Sequence, residues 1–342
     1  MKSFPIKKAI FFCLLGFLTC AKEGEYRAIA KAEAVYGNGK MVFSIEWFAS
    51  DSKNNLYVLD GRDQNIKIFD EKGNFVRAIG KKGQGPGEMM RPRSLELNER
   101  NELIVFDLGN RRIIVYSTSG DIVKELSTAK LPRLGSVRYV AEGTFVGEVS
   151  HYADGDRISE LLVIDENMNT KAVLARLEIK REEGRLEIFA PMFRYAAISE
   201  REVLWADWYD DHLTISSIDG KIERRLMLNY KRTKVTEEDK ERAIKRRFGD
   251  ERLEETPVFP EFFPYFSNFF IDANNVYLLS FERGETSGHY YYHVNMKDNH
   301  TEKIFFDPEP VEFRDTNYYA LSEDEQGNQL IVRMSYVLKR GK

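Results

Sequence analysis

The chain has 342 residues, a formal net charge of −4 and a hydrophobic content of 42%. This length is sufficient for one large hydrophobic core, and the charge shows no general bias towards nucleic acid, so we expect no nucleic-acid partner. The chain has 2 cysteines, Cys13 and Cys20, and both precede the segment expected to fold. The folded part is therefore expected to contain no disulfide.

Residues 1–20 have the pattern of a signal peptide for export. Lys2, Lys7 and Lys8 give a basic start, and the apolar run 9–19 is about half as long as a membrane-spanning helix. Cys20 ends the run and resembles the acylated cysteine of a bacterial lipoprotein. We predict cleavage before Cys20 and lipidation of its thiol. The alternative is an ordinary signal peptide with an incidental cysteine.

Residues 21–39 begin as a polar tether and become extended in character near residues 29–36. In circular β-folds, a strand from one terminus often completes the last sheet, because this pairing removes an exposed edge. We expect the 29–36 segment to close the fold in this way.

The clearest pattern in the chain is a β-repeat. Short apolar runs separated by clusters of Gly, Asn and Asp predict antiparallel strands joined by hairpins, over residues 43–50, 56–59, 66–69 and 75–79. A shift of 47 residues carries Asp60 onto Asp107 and Gly73 onto Gly120. Such a repeat predicts a β-propeller, in which each four-stranded blade buries its faces against its neighbours.

The repeated motif resembles an NHL repeat, over residues 56–60, 65–69, 73 and 80–92. The chain as a whole is similar to the six-bladed β-propeller lipoproteins of the bacterial cell envelope. This resemblance implies an all-β fold, a six-bladed propeller of four-stranded antiparallel blades over residues 40–342. It also implies an envelope location. The later blades are degenerate, and we place them at residues 137–174, 193–228, 267–306 and 318–338.

The glycine-rich segment 80–92 invites comparison with phosphate-binding loops. A P-loop requires Lys-Ser/Thr and then a helix, and a dinucleotide fingerprint also requires a following helix. Pro92 and the strand pattern after it argue against a helix here. We therefore interpret the segment as a crossover between blades that needs glycine for its backbone conformation.

One helical and aromatic insert, residues 229–266, interrupts the β-pattern. Thr236 and Asp239 form a capping box before a helix predicted over 237–248, and Gly249 fits its end. An aromatic, proline-rich loop follows, with Phe259, Phe262, Phe263 and Tyr265. The loop either packs against the rim of the propeller or frames a ligand groove.

Catalytic patterns are weak in this chain. His289 and His293 would lie on one face of a strand but about 13 Å apart, too far for one Zn²⁺. The other histidines, His151, His212 and His300, show no ligand spacing. The recurring aspartates are expected to be structural turn acceptors, at positions 60, 107 and 207. We expect no metal, no cofactor and no catalytic residue.

The innermost strands are the best candidates for a binding site, because they converge on the central funnel of a propeller. The repeat places Glu46 in register with Arg93, and puts further arginines nearby, Arg91, Arg138 and Arg194. Several arginines near one axis would attract an anion. The alternative is that Glu46, Glu96 and other carboxylates neutralise them.

These observations predict a non-catalytic, envelope-anchored protein that binds a ligand or partner at the funnel and the adjacent insert. The partner would be a small molecule, a glycan or an envelope protein, and the chain would act as a monomer. The lipid would place it at the periplasmic face or the outer-membrane surface. The alternative function is a metal-dependent hydrolase or lyase, similar to lactonases, with its site in the channel.

Overall fold

The computed structural model describes residues 25–37, 44–131, 133–249, 253–284, 288–314 and 317–340. The predicted signal peptide and Cys20 lie outside the described residues. Within these ranges, no helix is both long and apolar enough to cross a membrane. The described residues form twenty-eight strands and one helix, which confirms the all-β class.

The chain begins with β1 (Glu25–Tyr36) and continues into four separate antiparallel sheets of four strands each. The first sheet contains β2 (Ile45–Ser50), β3 (Leu56–Asp60), β4 (Asn65–Phe69) and β5 (Phe75–Ile79). The glycine-rich segment that follows contains β6 (Lys81–Lys82) and β7 (Glu88–Met89), which pair in parallel. The second sheet contains β8 (Pro92–Leu97), β9 (Leu103–Asp107), β10 (Arg112–Tyr116) and β11 (Ile122–Ser127).

The next two sheets are built in the same way. The third contains β12 (Leu134–Ala141), β13 (Thr144–Ala153), β14 (Asp156–Asp165) and β15 (Thr170–Ile179). After β16 (Arg185–Glu187), the fourth contains β17 (Phe193–Ala197), β18 (Glu202–Asp207), β19 (His212–Ser217) and β20 (Ile222–Met227). The insert then provides α1 (Glu237–Phe248) and β21 (Thr256–Val258), and β21 pairs in parallel with β16.

The remaining strands form one eight-stranded sheet. Its strands are β22 (Asn268–Asp272), β23 (Asn275–Arg283), β24 (His289–Asn295), β25 (Thr301–Phe306), β26 (Pro310–Arg314), β27 (Asn317–Glu323) and β28 (Gln329–Arg340), together with β1. The order is β22-β23-β24-β25-β1-β28-β27-β26. β1 pairs antiparallel with β28 and in parallel with β25, so it joins two groups of strands.

The expectation of six separate blades is corrected by this topology. Four separate blades are found, in a propeller-like arrangement, because β1 fuses the last strands into a single sheet. The last group also starts earlier than residue 318, where we expected it, since β26 already begins at Pro310. The strand expected at 29–36 is present as part of β1 and pairs with β28.

Apolar side chains fill the spaces between neighbouring sheets. Tyr57 and Leu59 of the first sheet pack with Leu103 and Val105 of the second. The first sheet also packs against the eight-stranded sheet. Residues of both sheets form one buried cluster there: Ala34, Tyr36, Phe48, Leu56, Val58, Phe69, Tyr319 and Ile331. Burial of this surface is the main force that holds the sheets together.

The repeated glycines lie at hairpin tips that approach the preceding sheet. Gly73, Gly120 and Gly220 have positive φ angles of 87°, 98° and 90°. A Cβ on Gly120 would lie 3.3 Å from Ile79, and one on Gly73 only 2.0 Å from the carbonyl oxygen of Val35 in β1. Glycine is therefore required for both the turn and the close approach.

Helix α1 has the predicted bounds and the predicted cap. The side-chain oxygen of Thr236 accepts a hydrogen bond from the Asp239 amide, and the Asp239 carboxylate accepts one from the Thr236 amide. Gly249 ends the helix, and its amide donates to the Lys245 carbonyl. No residue of the helix is buried, as expected for a surface insert.

The aspartates that end the second strand of each repeat accept hydrogen bonds in turns. Asp107 accepts from the Arg91 amide at 2.9 Å, and Asp207 accepts from the Tyr209 amide at 3.3 Å. This confirms their structural role.

Asp60 and Asp107 are both fully buried, and Asp60 also has a buried cation as its partner. Asp60 accepts from the Arg62 amide and forms an ion pair with Lys67, with 2.6 Å between Oδ2 and Nζ. The two side chains are 0% and 7% exposed. Because an ionised carboxylate is costly to bury alone, Lys67 is needed to keep this turn stable.

We predict that Lys67→Met lowers the free energy of unfolding by about 3–5 kcal/mol, because it leaves the Asp60 carboxylate buried without its cation. Denaturant unfolding measures this change. Lys221→Met, which removes an exposed lysine from the hairpin before β20, is the matched control and should change stability by less than about 0.5 kcal/mol. Equal effects of the two substitutions would contradict the role given to Lys67.

Candidate functional site

Along six strands, buried side chains alternate with partly exposed ones. We call these the first strands: β2, β8, β12 and β17 of the four-stranded sheets, and β22 and β26 at the two ends of the eight-stranded sheet. One set of side chains is buried between sheets, Phe48, Leu95, Val137, Tyr195, Phe269 and Phe313. The intervening set is partly exposed, and we call it the funnel face: Trp47, Glu96, Arg138, Arg194, Asn268, Glu312 and Arg314. Successive first strands lie beside one another from β2 to β26. Alternating side chains of these strands therefore share one polar surface.

β-bulges at Glu46 and Arg93 bring these two residues together at the start of β2 and β8. The register shifts between Ile45 and Trp47 in β2, and the shift in β8 lies at Arg93. Arg93 Nη1 lies 3.4 Å from Glu46 Oε2. The register predicted from the repeat thus produces an ion pair, and bulges of this kind re-aim side chains at sheet edges.

Arg138 lies between a carboxylate and an indole ring. Its Nη1 donates to Glu96 Oε1 at 3.1 Å, and its guanidinium carbon lies 4.2 Å from the centre of the Trp47 ring. The other Glu96 oxygen accepts from the Tyr139 amide at 2.8 Å. Burial raises the pKa of the Glu96 carboxyl, although Arg138 opposes that rise. Arg138 is thus held by a charge pair and a cation–π contact.

Arg194 differs from Arg93 and Arg138 in its partners. Its Nε and Nη2 both donate to the Ser267 carbonyl oxygen at 3.2 Å, and its guanidinium carbon lies 4.8 Å from the centre of the Trp208 ring. Burial lowers its pKa, the nearby Glu148 charge raises it, and Arg138 lowers it further. No carboxylate of the described residues forms an ion pair with Arg194. Its charge is therefore oriented by a carbonyl and a ring.

Glu312 and Arg314 extend the funnel face to β26. Arg314 Nη1 donates to the carbonyl oxygen of Ser50 and, at 2.9 Å, to its Oγ, which links β26 to β2. Burial raises the pKa of Glu312 to about 8, against the opposing effects of Arg314 and Ser50. At neutral pH, the carboxyl of Glu312 is therefore mostly uncharged.

Three of the four predicted arginines lie on the first strands, and the fourth does not. Arg93, Arg138 and Arg194 lie on first strands, but Arg91 lies in the turn before β8, with an exposed side chain and no ion pair among the described residues. The expected neutralising carboxylates are present for Arg93 and Arg138. The predicted site missed Trp47, Asn268, Glu312 and Arg314. The alternation in Val-Glu-Phe-Arg of β26 is a signal that would have identified Glu312 and Arg314.

The aromatic loop of the insert packs largely on itself and on the rim of the sheets. Phe263 is 5% exposed and stacks on Phe281, with 4.5 Å between ring centres. Phe189 contacts both rings edge-on, as well as Phe259. Phe263 was predicted as a ligand contact, but it lies inside this cluster, because burial of a phenyl ring is strongly favourable.

The other predicted aromatic residues surround an arginine. Arg232 lies 5.5 Å from the ring centres of both Phe262 and Tyr265, and 5.9 Å from that of Tyr209. Tyr209 in turn donates to the Phe189 carbonyl oxygen at 2.7 Å. The loop is thereby connected to the segment that precedes β17, near Arg194. The packing interpretation of the insert therefore describes most of its contacts.

Three histidines, on β24 and in the hairpin that follows it, lie next to polar side chains of the protein. His289 and His293 both lie on β24, where Nδ1 of His289 is 3.1 Å from Glu309 and Nε2 of His293 is 2.9 Å from Asn275. His300 lies 3.3 Å from Glu302. Among the described residues, no three His, Cys, Asp or Glu side chains are grouped as a metal site would require.

The chain belongs to the family defined by a domain of unknown function, DUF4934, whose model matches residues 50–318. No curated protein matches its sequence. A protein from Bacteroides fragilis NCTC 9343, named "Putative exported protein", has a similar structure, with a TM-score of 0.58 and 12% identity over 91% of this chain and 95% of that chain.

Two further solved structures are similar to different degrees. A DUF4221 family member from Bacteroides vulgatus ATCC 8482 has a TM-score of 0.55 and 12% identity, over 93% of this chain and 100% of that chain. Virginiamycin B lyase from Staphylococcus aureus aligns over 92% and 100%, with a TM-score of only 0.47 and 8% identity. At these identities, the structures with the higher scores show a shared fold and leave the activity open.

We predict that Glu312→Gln stabilises the protein above neutral pH, relative to the wild type. The folded pKa of about 8 lies above the ordinary value of 4.5, so folded protein binds a proton that unfolded protein releases. This stabilisation of the wild type is present below about pH 4.5 and is lost as pH rises through 8. Relative to the Glu312→Gln variant, the wild type should therefore lose roughly 1–3 kcal/mol between pH 5 and 8.5. Unfolding curves across this range measure the difference.

The matched control for this prediction is Glu223→Gln on the exposed strand β20. Its free energy of unfolding should follow that of the wild type at every pH. If the Glu312→Gln and wild-type curves remain parallel from pH 5 to 8.5, the carboxyl of Glu312 is ionised throughout and the description of the funnel face is wrong.

Proposed function

We propose that this protein is a non-catalytic binding protein that takes an anionic ligand on the funnel face. The observation that carries the proposal is the state of Arg194, whose guanidinium donates to the Ser267 carbonyl and stacks on Trp208. Because no carboxylate of the described residues forms an ion pair with it, this guanidinium can pair with an incoming carboxylate, phosphate or sulfate. The candidates are a small molecule, a glycan or an exposed acidic segment of an envelope protein.

The charge balance of the surrounding side chains supports an anion. Burial raises the pKa of Glu312 to about 8 and also raises the pKa of Glu96, which favours the neutral carboxyl forms on the surface that carries Arg138, Arg194 and Arg314. The funnel face is therefore more positive at neutral pH than its residue types suggest. Trp47 and Asn268 add an aromatic surface and an amide, which suit the neutral part of such a ligand.

We further propose that the eight-stranded sheet supplies two blades, so that six units surround the funnel. Three observations support this arrangement. The order of the sheet divides at β1 into two groups of four strands. β22 contacts both β17 and β26, and Arg314 of β26 bonds to Ser50 of β2. The apolar cluster around Tyr36 then lies between the first and the last unit.

The proposed location is the bacterial cell envelope, with a lipid on Cys20. The basic start, the short apolar run and the position of Cys20 support export and acylation. The name of the similar Bacteroides fragilis protein agrees with export. The resemblance to NHL-repeat lipoproteins points to the same location, and the protein would act there as a monomer.

The alternative function is a metal-dependent hydrolase or lyase in the channel. Two histidines or three carboxylates on the funnel face would favour it. The first strands of the described chain carry no histidine, and the carboxylates Glu46, Glu96 and Glu312 lie on three different strands. Glu46 and Glu96 are paired with arginines, and no three such groups of the described residues lie close enough together to hold a metal. No specific observation favours the enzyme.

We predict that Arg194→Gln lowers the affinity for acidic ligands by about tenfold or more, since a hydrogen bond to a charged group contributes roughly 1.5–3 kcal/mol. Acidic oligosaccharides and their neutral counterparts are suitable probes, measured by calorimetry at two salt concentrations. Arg224→Gln, on the exposed strand β20, is the matched control and should bind as wild type does. Salt should weaken binding of the acidic probes only.

Two results would contradict this assignment. If Arg194→Gln lowers the melting temperature sharply while its folded fraction binds as wild type does, Arg194 has a structural role. If no acidic probe binds more tightly than its neutral counterpart, the proposed ligand class is wrong.

We predict that Cys20→Ser moves the protein from the membrane fraction to the soluble fraction, because acyl chains on Cys20 provide the anchor. Fractionation and immunoblotting measure the distribution. Cys13→Ser, within the segment that should be removed, is the control and should leave the distribution unchanged. Membrane retention of Cys20→Ser at the wild-type level would disprove lipidation.

A further inference from the structure

A basic and apolar edge lies where β28 extends beyond β27 and pairs on one side only, with β1. β27 pairs with β28 only as far as Ser335, whereas β1 continues to pair with β28 up to Arg340. Along this extension, Arg27 is opposite Lys339, and Ile29 is opposite Val337. We call these four residues, together with Arg340, the basic edge.

The apolar side chains of the basic edge are exposed although their strands are paired. Val337 is 60% exposed and Ile29 is 46% exposed, and the adjacent Leu338 is 39% exposed. Cross-strand neighbours on one face share a surface, so Ile29 and Val337 form one apolar spot. Lys339 and Arg27 flank this spot, so it combines apolar contact with positive charge.

The acidic residues of β1 are already engaged with other cations. Glu25 is 3.0 Å from Lys303, and Glu33 is 3.2 Å from Lys31. Lys339 and Arg340 are exposed, and no ion pair is found for either within the described part of the chain. Lys339 and Arg340 therefore give the basic edge positive charge that faces solvent, whereas the Arg27 guanidinium lies 5.0 Å from the centre of the Phe305 ring.

The start of β1 fixes where the proposed anchor meets the fold. Glu25 is 9% exposed and is held by Lys303, so the chain is already rigid at this residue. Four residues separate Cys20 from Glu25 in the sequence. An extended chain of that length reaches about 17 Å. A lipid on Cys20 would therefore hold the basic edge close to the bilayer.

We infer that the basic edge lies against the anionic headgroups of the membrane that holds the protein. This inference rests on the lipid anchor proposed above. Lysine and arginine next to a bilayer are attracted to anionic lipids, and exposed Ile or Val side chains enter the interface. The contact fixes the orientation of the propeller on the membrane. If the basic edge did not contact the membrane, its basic residues would serve only to keep other strands from pairing with this edge.

The test uses single cysteines in the full chain, reconstituted into vesicles of phosphatidylcholine with or without phosphatidylglycerol. Val337→Cys reports on the basic edge, and Met227→Cys, 43% exposed on β20, is its matched control. A membrane-impermeant maleimide labels each cysteine, with the unsubstituted chain as background. We expect position 337 to be labelled several-fold more slowly than position 227 in phosphatidylglycerol vesicles, and equally fast in detergent.

Charge reversal tests the cause of this protection. Lys339→Glu with Arg340→Glu, added to Val337→Cys, should restore rapid labelling of position 337. Arg224→Glu with Arg225→Glu, an exposed basic pair on β20, should leave the protection unchanged. Equal labelling of 337 and 227, or equal protection without phosphatidylglycerol, would overturn the inference.

Flotation of the vesicles separates the two possible failures. If the unsubstituted chain does not float with the vesicles, the anchor is wrong and the inference fails with it. If the chain floats but position 337 is labelled as fast as position 227, the anchor is correct and the basic edge does not contact the membrane. Binding of acidic probes to the funnel face is unaffected by either result.

Discussion

The pairing of β1 with β28 is the constraint on which the rest of the structure depends. A row of stacked sheets leaves one apolar face uncovered at each end, and only contact between the first and the last sheet covers both. Here β1 supplies Ala34 and Tyr36 to the cluster that joins these sheets. Gly73 permits the approach, because any side chain there would collide with the Val35 carbonyl. The strand nearest the N-terminus therefore stabilises both ends of the fold.

This scaffold allows the first strands to tolerate charge. Their buried positions supply the core, and their partly exposed positions are free to carry Glu96, Arg138, Arg194 and Glu312. Burial raises the pKa of the Glu96 and Glu312 carboxyls and lowers the pKa of Arg194, because desolvation disfavours the charged form of each group. The pair Glu96–Arg138 illustrates the compromise, because the partner reduces but does not remove the effect of burial. The charged side chains thus occupy the positions of the first strands at which the core does not need apolar side chains.

The sequence predicted local structure better than long-range organisation. Helix α1 and strand β5 were predicted with their observed bounds, since capping and alternation are local signals. The number of separate sheets was not, because fusion through β1 depends on pairing across the whole chain. The register of the sequence repeat identified the Glu46–Arg93 pair. The partners of Arg194 lie in loops, whose sequences do not follow the repeat. The alternation of β26 was missed because it is short and follows a proline-rich turn.

The separation of β1 from β28 has a consequence for the order of events during synthesis. Tyr26 is synthesised more than 300 residues before its partner Arg340. Contacts so distant in sequence make folding slow, and the first sheet keeps an apolar face exposed until β27 and β28 are available. The fold is therefore completed only after β28 has been synthesised, although the hairpins of the earlier sheets pair strands that are close in sequence.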